Sequence, residues 1–373
     1  MLIGTLGIRL ILLIGKTVPL PAPKSVMTAL KRLEINNETD GNDGFEMTFT
    51  LGKGKLGDYE LLSSGALDPD TRVVIGVLLG ASPEPLIDGV IYHHQVMASN
   101  QPGMSTLTVK GRDISVLLDL KERNDKYENQ TDSVIATLLI GKYAQYGIIP
   151  QVTQTSDVPL VVDRIPRQNE TDLAYLRRLA MRNGFVFYTE PLTIGASTAY
   201  WGPENRAGIP QPALTVDMGS SQNVTTFTPS QNALSPVGTE GSFIEPITKV
   251  SLSIPALPSL RIPPLVLQET NPRRTKLMRS TAGKNPFQAA SAALAENMNA
   301  PDSVSATGEL DTVRYGNILR ARRLVGVRGA GKSYNGFYKV RSVKHVIEPG
   351  ASYKQQFELR REGTGALLPV VLP

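Results

Sequence analysis

Gly326-Val327-Arg328-Gly329-Ala330-Gly331-Lys332-Ser333 has the spacing G-x-x-x-x-G-K-S. How this octet is read decides the fold. As a phosphate-binding loop it needs a strand before it and a helix directly behind it. Loop N–H groups would then cradle phosphates, with Lys332 on the outer phosphates and Ser333 on magnesium. The run Ile318 to Val325 reads as the strand. The helix is missing from the pattern: Gly336 interrupts early, and Phe337 to Val343 is aromatic and β-branched with period-two alternation. Phe337, Lys339, Arg341 and Val343 are expected on one face of that strand, and Tyr338, Val340 and Ser342 on the other. Only 40 residues follow Ser333, too few for the further strand–helix units of a nucleotide-binding domain. The best run ending in aspartate, Leu160-Val161-Val162-Asp163, lies upstream, in the wrong order. The octet therefore reads as a glycine-rich turn between antiparallel strands, with Gly329 and Gly331 at positive φ and Lys332 and Ser333 exposed. The match of Gly326, Gly331, Lys332 and Ser333 to a cofactor-binding loop is taken as a decoy.

The rest of the chain supports a β-rich reading. Its 373 residues suggest two or more domains. Gly (33) and Pro (27) are frequent enough for many turns, and there is no cysteine, which excludes disulfides, thiolate metal sites and cysteine nucleophiles. The net charge of +5 is mild. The basic clusters Arg273-Arg274-Thr275-Lys276 and Arg320-Ala321-Arg322-Arg323 read as solvated surface or a subunit contact, with no specific nucleic-acid binding. The apolar N-terminus lacks the features of a signal peptide, and Leu10 to Ile14 is too short to span a bilayer. It reads as a buried first strand, with no stable membrane insertion.

Strands are expected at Phe45–Leu51, Arg72–Leu79, Leu86–Val96 and Ser105–Gly111. Asp113 caps a short helix to Asp119. A longer helix runs from Thr131 to Tyr146 and stops at Gly147. The next helix has Asn169 as its N-cap, an apolar stripe of Leu173, Leu176, Leu179 and Ala180, and Asn183-Gly184 as its stop. Phe185-Val186-Phe187-Tyr188 begins a strand. Leu214–Met218 and Val224–Thr228 are strands again. A proline-rich connection covers Ile254–Pro264, an alanine-rich helix Phe287–Met298, and strands Val304–Leu310, Ile318–Val325, Phe337–Val346 and Tyr353–Arg360. The fold class is α+β and β-rich. Residues 1–112 with about 205–250 are expected to form a first antiparallel β-domain, and 113–204 an inserted α+β domain. Residues 251–300 form the connection and helix, and 301–373, with part of 251–300, a second β-domain.

No catalytic or metal constellation is expected. His93 and His94 fall on opposite faces of a strand, and His345 stands alone. Asp68 and Asp70 read as turn formers. Trp201 reads as a packing residue in a loop, which argues against a carbohydrate-binding platform.

Gln168 to Tyr188, with Thr-Asp-Leu-Ala-Tyr-Leu-Arg-Arg-Leu-Ala followed by Asn-Gly-Phe-Val-Phe-Tyr, resembles the phage late-control D family. That family includes contractile-tail hubs and the N-terminal hub part of VgrG spikes. Leu86–Ile91, Leu107–Asp113, the alanine-rich helix near 290, Gly336–Val340, His345 and Tyr353–Leu359 are similar to further family segments, in the same order. The resemblance implies two tube-like β-barrel domains with inserted α+β parts. It implies a non-enzymatic homotrimer that adapts a hexameric tail tube to a trimeric spike, without a cofactor. The partners implied are the tube protein, the spike and other baseplate proteins. The place implied is a virion tail or injection-system baseplate, assembled in the bacterial cytoplasm. VgrG chains continue into a spike, whereas this sequence stops at Pro373, so the spike is expected to be a separate protein. The alternatives are a P-loop nucleotidase or a tail-associated cell-wall hydrolase.

Overall fold

Alternation in sequence becomes one buried face per strand. In Gly44–Thr50, Phe45, Met47 and Phe49 point inward while their neighbours are half-exposed. The computed structural model describes all residues except 1–3, 6–7, 17, 40, 42, 55–57, 102, 160, 162–163, 245–249, 255–260, 262, 279–295, 297–300 and 368–373.

The first unit holds β1 (Gly4–Thr5), β2 (Ile8–Gly15), β3 (Leu20–Pro21), α1 (Lys24–Ala29), β4 (Leu30–Glu38) and β5 (Gly44–Thr50). It continues with α2 (Glu60–Ser63), β6 (Arg72–Leu79), β7 (Ser82–Met97) and β8 (Thr106–Asp113). Leu10, Leu12 and Ile14 of β2 face inward, as expected for a buried first strand. β5 lies so close over β8 that a Cβ on Gly111 would stand 2.1 Å from the Phe45 ring, so only glycine fits there.

An insert follows. It contains a 3-10 helix (Ile114–Asp119), β9 (Glu122–Lys126), α3 (Asp132–Gly141), β10 (Ile148–Val152), β11 (Arg167–Thr171), α4 (Asp172–Arg182), β12 (Phe185–Thr193) and β13 (Ala196–Pro203). Asp113 accepts from the Ser115 N–H and caps the 3-10 helix. α4 starts later than the sequence suggests. Asn169 is held extended opposite Asn124 in the β9–β11 ladder, and Thr171 is the N-cap, accepting from the Ala174 N–H at 3.2 Å. The helix expected over 131–146 is broken. α3 ends at Gly141, a short 3-10 turn covers Ala144–Tyr146, and Gly147 closes it at φ 76. The Tyr143 hydroxyl donates to Asp172 at 3.0 Å. Trp201 sits in β13, fully buried rather than in a loop, and its Nε1 donates to the Leu176 carbonyl at 3.1 Å.

The second unit uses β14 (Gln211–Thr215), β15 (Val224–Gln231), β20 (Val304–Asp311), α5 (Thr312–Tyr315), β21 (Leu324–Arg328), β22 (Gly336–Glu348), β23 (Ser352–Arg361) and β24 (Gly363–Ala366). Between β15 and β20 lie β16 (Val237–Ile244), β17 (Ser251–Ile254), β18 (Val266–Glu269) and β19 (Arg274–Leu277). The sequence groups residues 205–250 with the first unit. In the structure β14 pairs β21 and β15 pairs β20 along its whole length, so both belong to the second unit's ladder. The expected proline-rich connection and alanine-rich helix lie largely outside the described residues.

One antiparallel sheet crosses both units in the order β7-β8-β5-β4-β22-β23-β20-β15. Five strands of each unit share one pairing pattern, with β4, β5, β6, β7 and β8 answering to β15, β20, β21, β22 and β23. A bulge at Lys31 between β4 and β5 recurs at Thr225 between β15 and β20. A bulge at Tyr92 in β7 recurs at Arg341 in β22. The repeat fixes the equivalence of Glu34 with Thr228, of Ile91 with Val340 and of Arg72 with Leu324. The Arg341 bulge also corrects the expected faces of β22, because it turns Val343 inward with Tyr338 and Val340.

Candidate functional site

The octet that opens the sequence question is a hairpin. β21 and β22 are antiparallel, and Lys332 to Tyr334 form a turn whose next regular element is a strand. Gly329 and Gly331 have φ 85 and 82, and Lys332 and Ser333 are exposed. A Cβ on Gly329 would lie 1.8 Å from the Val216 carbonyl oxygen. The loop's polarity is the reverse of a phosphate cradle. Its Asn335 and Ser333 carbonyls accept from the Arg361 guanidinium at 2.9 and 2.5 Å. Among the described residues no helix N-terminus stands behind it to bind an anion.

The expected strand over Ile318–Val325 begins only at Leu324. The preceding stretch is irregular because its arginines reach three different acceptors. Arg320 pairs with Glu84 of β7 at 2.7 Å, and Arg323 pairs with Glu190 of the insert at 2.8 Å. Arg322 is buried at φ 67, pairs with Asp43 of the β4–β5 turn at 2.6 Å, and stacks over the Tyr188 ring at 4.3 Å. The cluster read as solvated surface or a subunit contact therefore ties the second unit to the first and to the insert. The other basic cluster remains exposed on β19.

Where the insert meets the polar face of the sheet there is a cleft of about 510 Å³, lined by Asp43, Asp113, Lys110 and Arg177 among others. Its two buried carboxyls are engaged in holding structure. Asp43 faces Arg322 and also accepts from the Glu38 N–H at 2.8 Å. Asp113 accepts from the Ser115 hydroxyl at 3.0 Å and from Thr189. Burial, with the Asp43 charge nearby, pushes the Asp113 carboxyl up to about 6.

His93 and His94 lie on β7 beyond the end of β6, and His345 is buried against the Tyr353 hydroxyl at 2.9 Å. Burial, with the Arg320 charge nearby, pulls the His345 ring down to about 3. Among the described residues no group of three or more His, Cys, Asp or Glu side chains is placed to hold a metal ion. Among the same residues no helix is long and apolar enough to cross a membrane.

The sheet face turned away from the core is polar and crossed by ion pairs such as Lys344–Glu34 (2.8 Å), Lys110–Glu46 (3.1 Å) and Lys354–Glu309 (3.0 Å). These pairs are partly exposed and individually worth little. They keep the face wettable across both units.

Two stretches along this sheet have an open edge. Among the described residues β15 pairs only β20, and β7 beyond Ile91 pairs only β8. Val96 and Met97 are 38% and 60% exposed there, whereas their equivalents His345 and Val346 are buried beneath β4. Sequence reading anticipated two β-units but missed the equivalences between their residues and these edges. The equivalent positions share backbone geometry while their side chains differ, as with Asp70 and Arg322.

Comparison with solved structures places this architecture. The tail protein from Neisseria meningitidis MC58 superposes with a TM-score of 0.62 at 14% identity, over 96% of this chain and 98% of that one. The 43 kDa tail protein of prophage MuSo2 from Shewanella oneidensis gives 0.62 at 15%, over 95% and 98%. The fold is similar to that of these two tail proteins. An E. coli type VI secretion component, described as structurally similar to the T4 tail proteins gp27 and gp5, gives 0.55 at 13%, over 92% and 77%. At these identities the likeness is one of fold. In sequence, a family profile described as Alg8 N-terminal domain matches residues 23–205, from just before α1 to just past β13. That description differs from the late-control D family. No curated protein matches the chain in sequence.

Proposed function

We propose that this chain is a structural, non-enzymatic hub of a contractile phage tail or phage-like injection device, of the late-control D kind. Three copies close into a ring that adapts a hexameric tube to a trimeric spike. The observation that carries this reading is the internal duplication. Each chain supplies two equivalent β-units in one continuous sheet, so three chains present six. The insert and the β16–β19 segment occur once per chain, so they decorate the same ring three times. A body that repeats six times and additions that repeat three times suit an adaptor between partners of those symmetries.

The polar sheet face would line the passage, and its mixed charges would let a chain slide past without sticking. Tube, spike and neighbouring baseplate proteins are the partners of this reading, and the assembled tail or injection particle is its place.

Electron microscopy of the purified full-length chain tests the proposal. The expected image is a ring with six similar lobes and three protrusions around a central opening. A population of single compact particles with no ring would contradict it.

A further inference from the structure

Resting on the ring reading, we propose the register of the junction between copies: β15 of one copy pairs antiparallel with the Tyr92–Met97 edge of β7 in the next. The template is inside the chain. There β4 of the first unit pairs with the distal half of β22 of the second, with Asn37 opposite Val343, Asn36 opposite Lys344 and Ile35 opposite His345. Transferring each residue to its equivalent sets Gln231 opposite His94, Ser230 opposite Gln95 and Pro229 opposite Val96.

Two features of the free edges fit this occupant. Leu33 and Ile35, fully buried in the internal junction, correspond to Phe227 and Pro229, which are only half-buried at the β15 edge. Val96, set opposite Pro229, carries the matching exposed apolar surface on β7. Closing the junction covers both sets and pairs these two edges with each other. Pro229 takes one donor away from the β15 edge, which disfavours indiscriminate pairing while leaving its neighbours free to bond.

The same transfer gives the P-loop look-alike a task. Arg320 of the second unit holds Glu84 at 2.7 Å and the Pro85 carbonyl at 2.5 Å in the first unit. The equivalent of Arg320 is Asp68, and the equivalents of Glu84 and Pro85 are Ser333 and Tyr334. Across the copy-to-copy junction the exposed Asp68 turn therefore meets the exposed Lys332-Ser333 tip, with the charges exchanged relative to the internal contact. The glycine-rich loop presents Lys332 to a second copy of this chain.

The chain has no native cysteine, so engineered thiols report cleanly. A full-length Gln95→Cys/Ser230→Cys variant, oxidised under mild conditions, is expected to run as a covalent trimer on a non-reducing gel. Gln95→Cys/Gln231→Cys, one residue out of register, is expected not to cross-link, because its side chains point to opposite faces. Asn36→Cys/Lys344→Cys, which should close within one chain, controls for the geometry. Lys332→Asp is expected to lose trimer, and adding Asp68→Lys to the same chain to restore it. A parent chain that is trimeric by mass yet cross-links only out of register would overturn the register and leave the ring standing. A parent chain that stays monomeric would overturn the ring reading and this proposal with it.

Discussion

Asp70 and Arg322 occupy the same place in two copies of one unit. Each stands at φ 67, two residues before a strand. The Asp70 N–H donates to the Ile91 carbonyl at 2.8 Å while Ile91 donates back to Thr71 at 2.9 Å. The Arg322 N–H donates to Val340 at 2.8 Å while Val340 donates back to Arg323 at 2.9 Å. The backbone is conserved between the copies and the side chain is not. Asp70 is exposed, whereas Arg322 is buried against Asp43 and Tyr188.

That difference predicts unequal mutational costs. Arg322→Ala leaves the Asp43 carboxylate buried without its cation and should cost about 3–5 kcal/mol in denaturant unfolding. Asp70→Gly relieves a left-handed backbone at an exposed site and should be neutral or stabilising by up to about 1 kcal/mol. Equal losses at the two sites would contradict the buried-tie account of Arg322.

Acid should act on two buried groups with opposite sign. Asp113 sits at about 6, above its ordinary 3.8, so the folded state binds its proton first. Its contribution to stability therefore grows as pH falls from 7 through 6 and is complete below about 3.8. His345 sits at about 3, below its ordinary 6.5, so the unfolded chain binds that proton first. Its contribution is full above 6.5 and is lost progressively toward pH 3. Relative to the parent, Asp113→Asn should lose the gain between pH 7 and 4, and His345→Gln should lose the decline. Thermal unfolding at several pH values reads both differences.

The glycine-rich hairpin should respond to backbone changes and ignore nucleotides. Gly329→Ala places a methyl group against the Val216 carbonyl at positive φ and should cost more than about 1 kcal/mol. Lys332→Ala, on an exposed turn, should stay within about 0.5 kcal/mol of the parent. A non-hydrolysable ATP analogue with magnesium should leave the melting temperature of both the parent and Lys332→Ala unchanged. A rise in the parent that Lys332→Ala abolishes would revive the nucleotide reading.

The start of α4 can be checked at its cap. Thr171→Ala should cost about 1 kcal/mol, while Asn169→Ala, in a paired strand, should cost less. The reverse order would restore the cap expected from sequence.

Period-two alternation made β5 and β7 legible, and helix stop signals found Gly147 and Asn183-Gly184. The irregular approach to Leu324 was not legible, because its course is set by Glu84, Asp43 and Glu190, all distant in sequence. The bulges at Tyr92 and Arg341 reverse side-chain faces without any turn residue to announce them. The open edges were hidden for a related reason. An edge is defined by the neighbour that a strand lacks, and Phe227 or Val96 reads the same in a paired strand as in an unpaired one.

Light scattering of the purified full-length chain under native conditions tests the central claim most directly. The duplicated unit in a 40.4 kDa chain predicts a particle of three times that mass, stable on dilution to micromolar concentration. A single-chain mass at every concentration, or an assembly whose copy number does not bring the units to six, would contradict it.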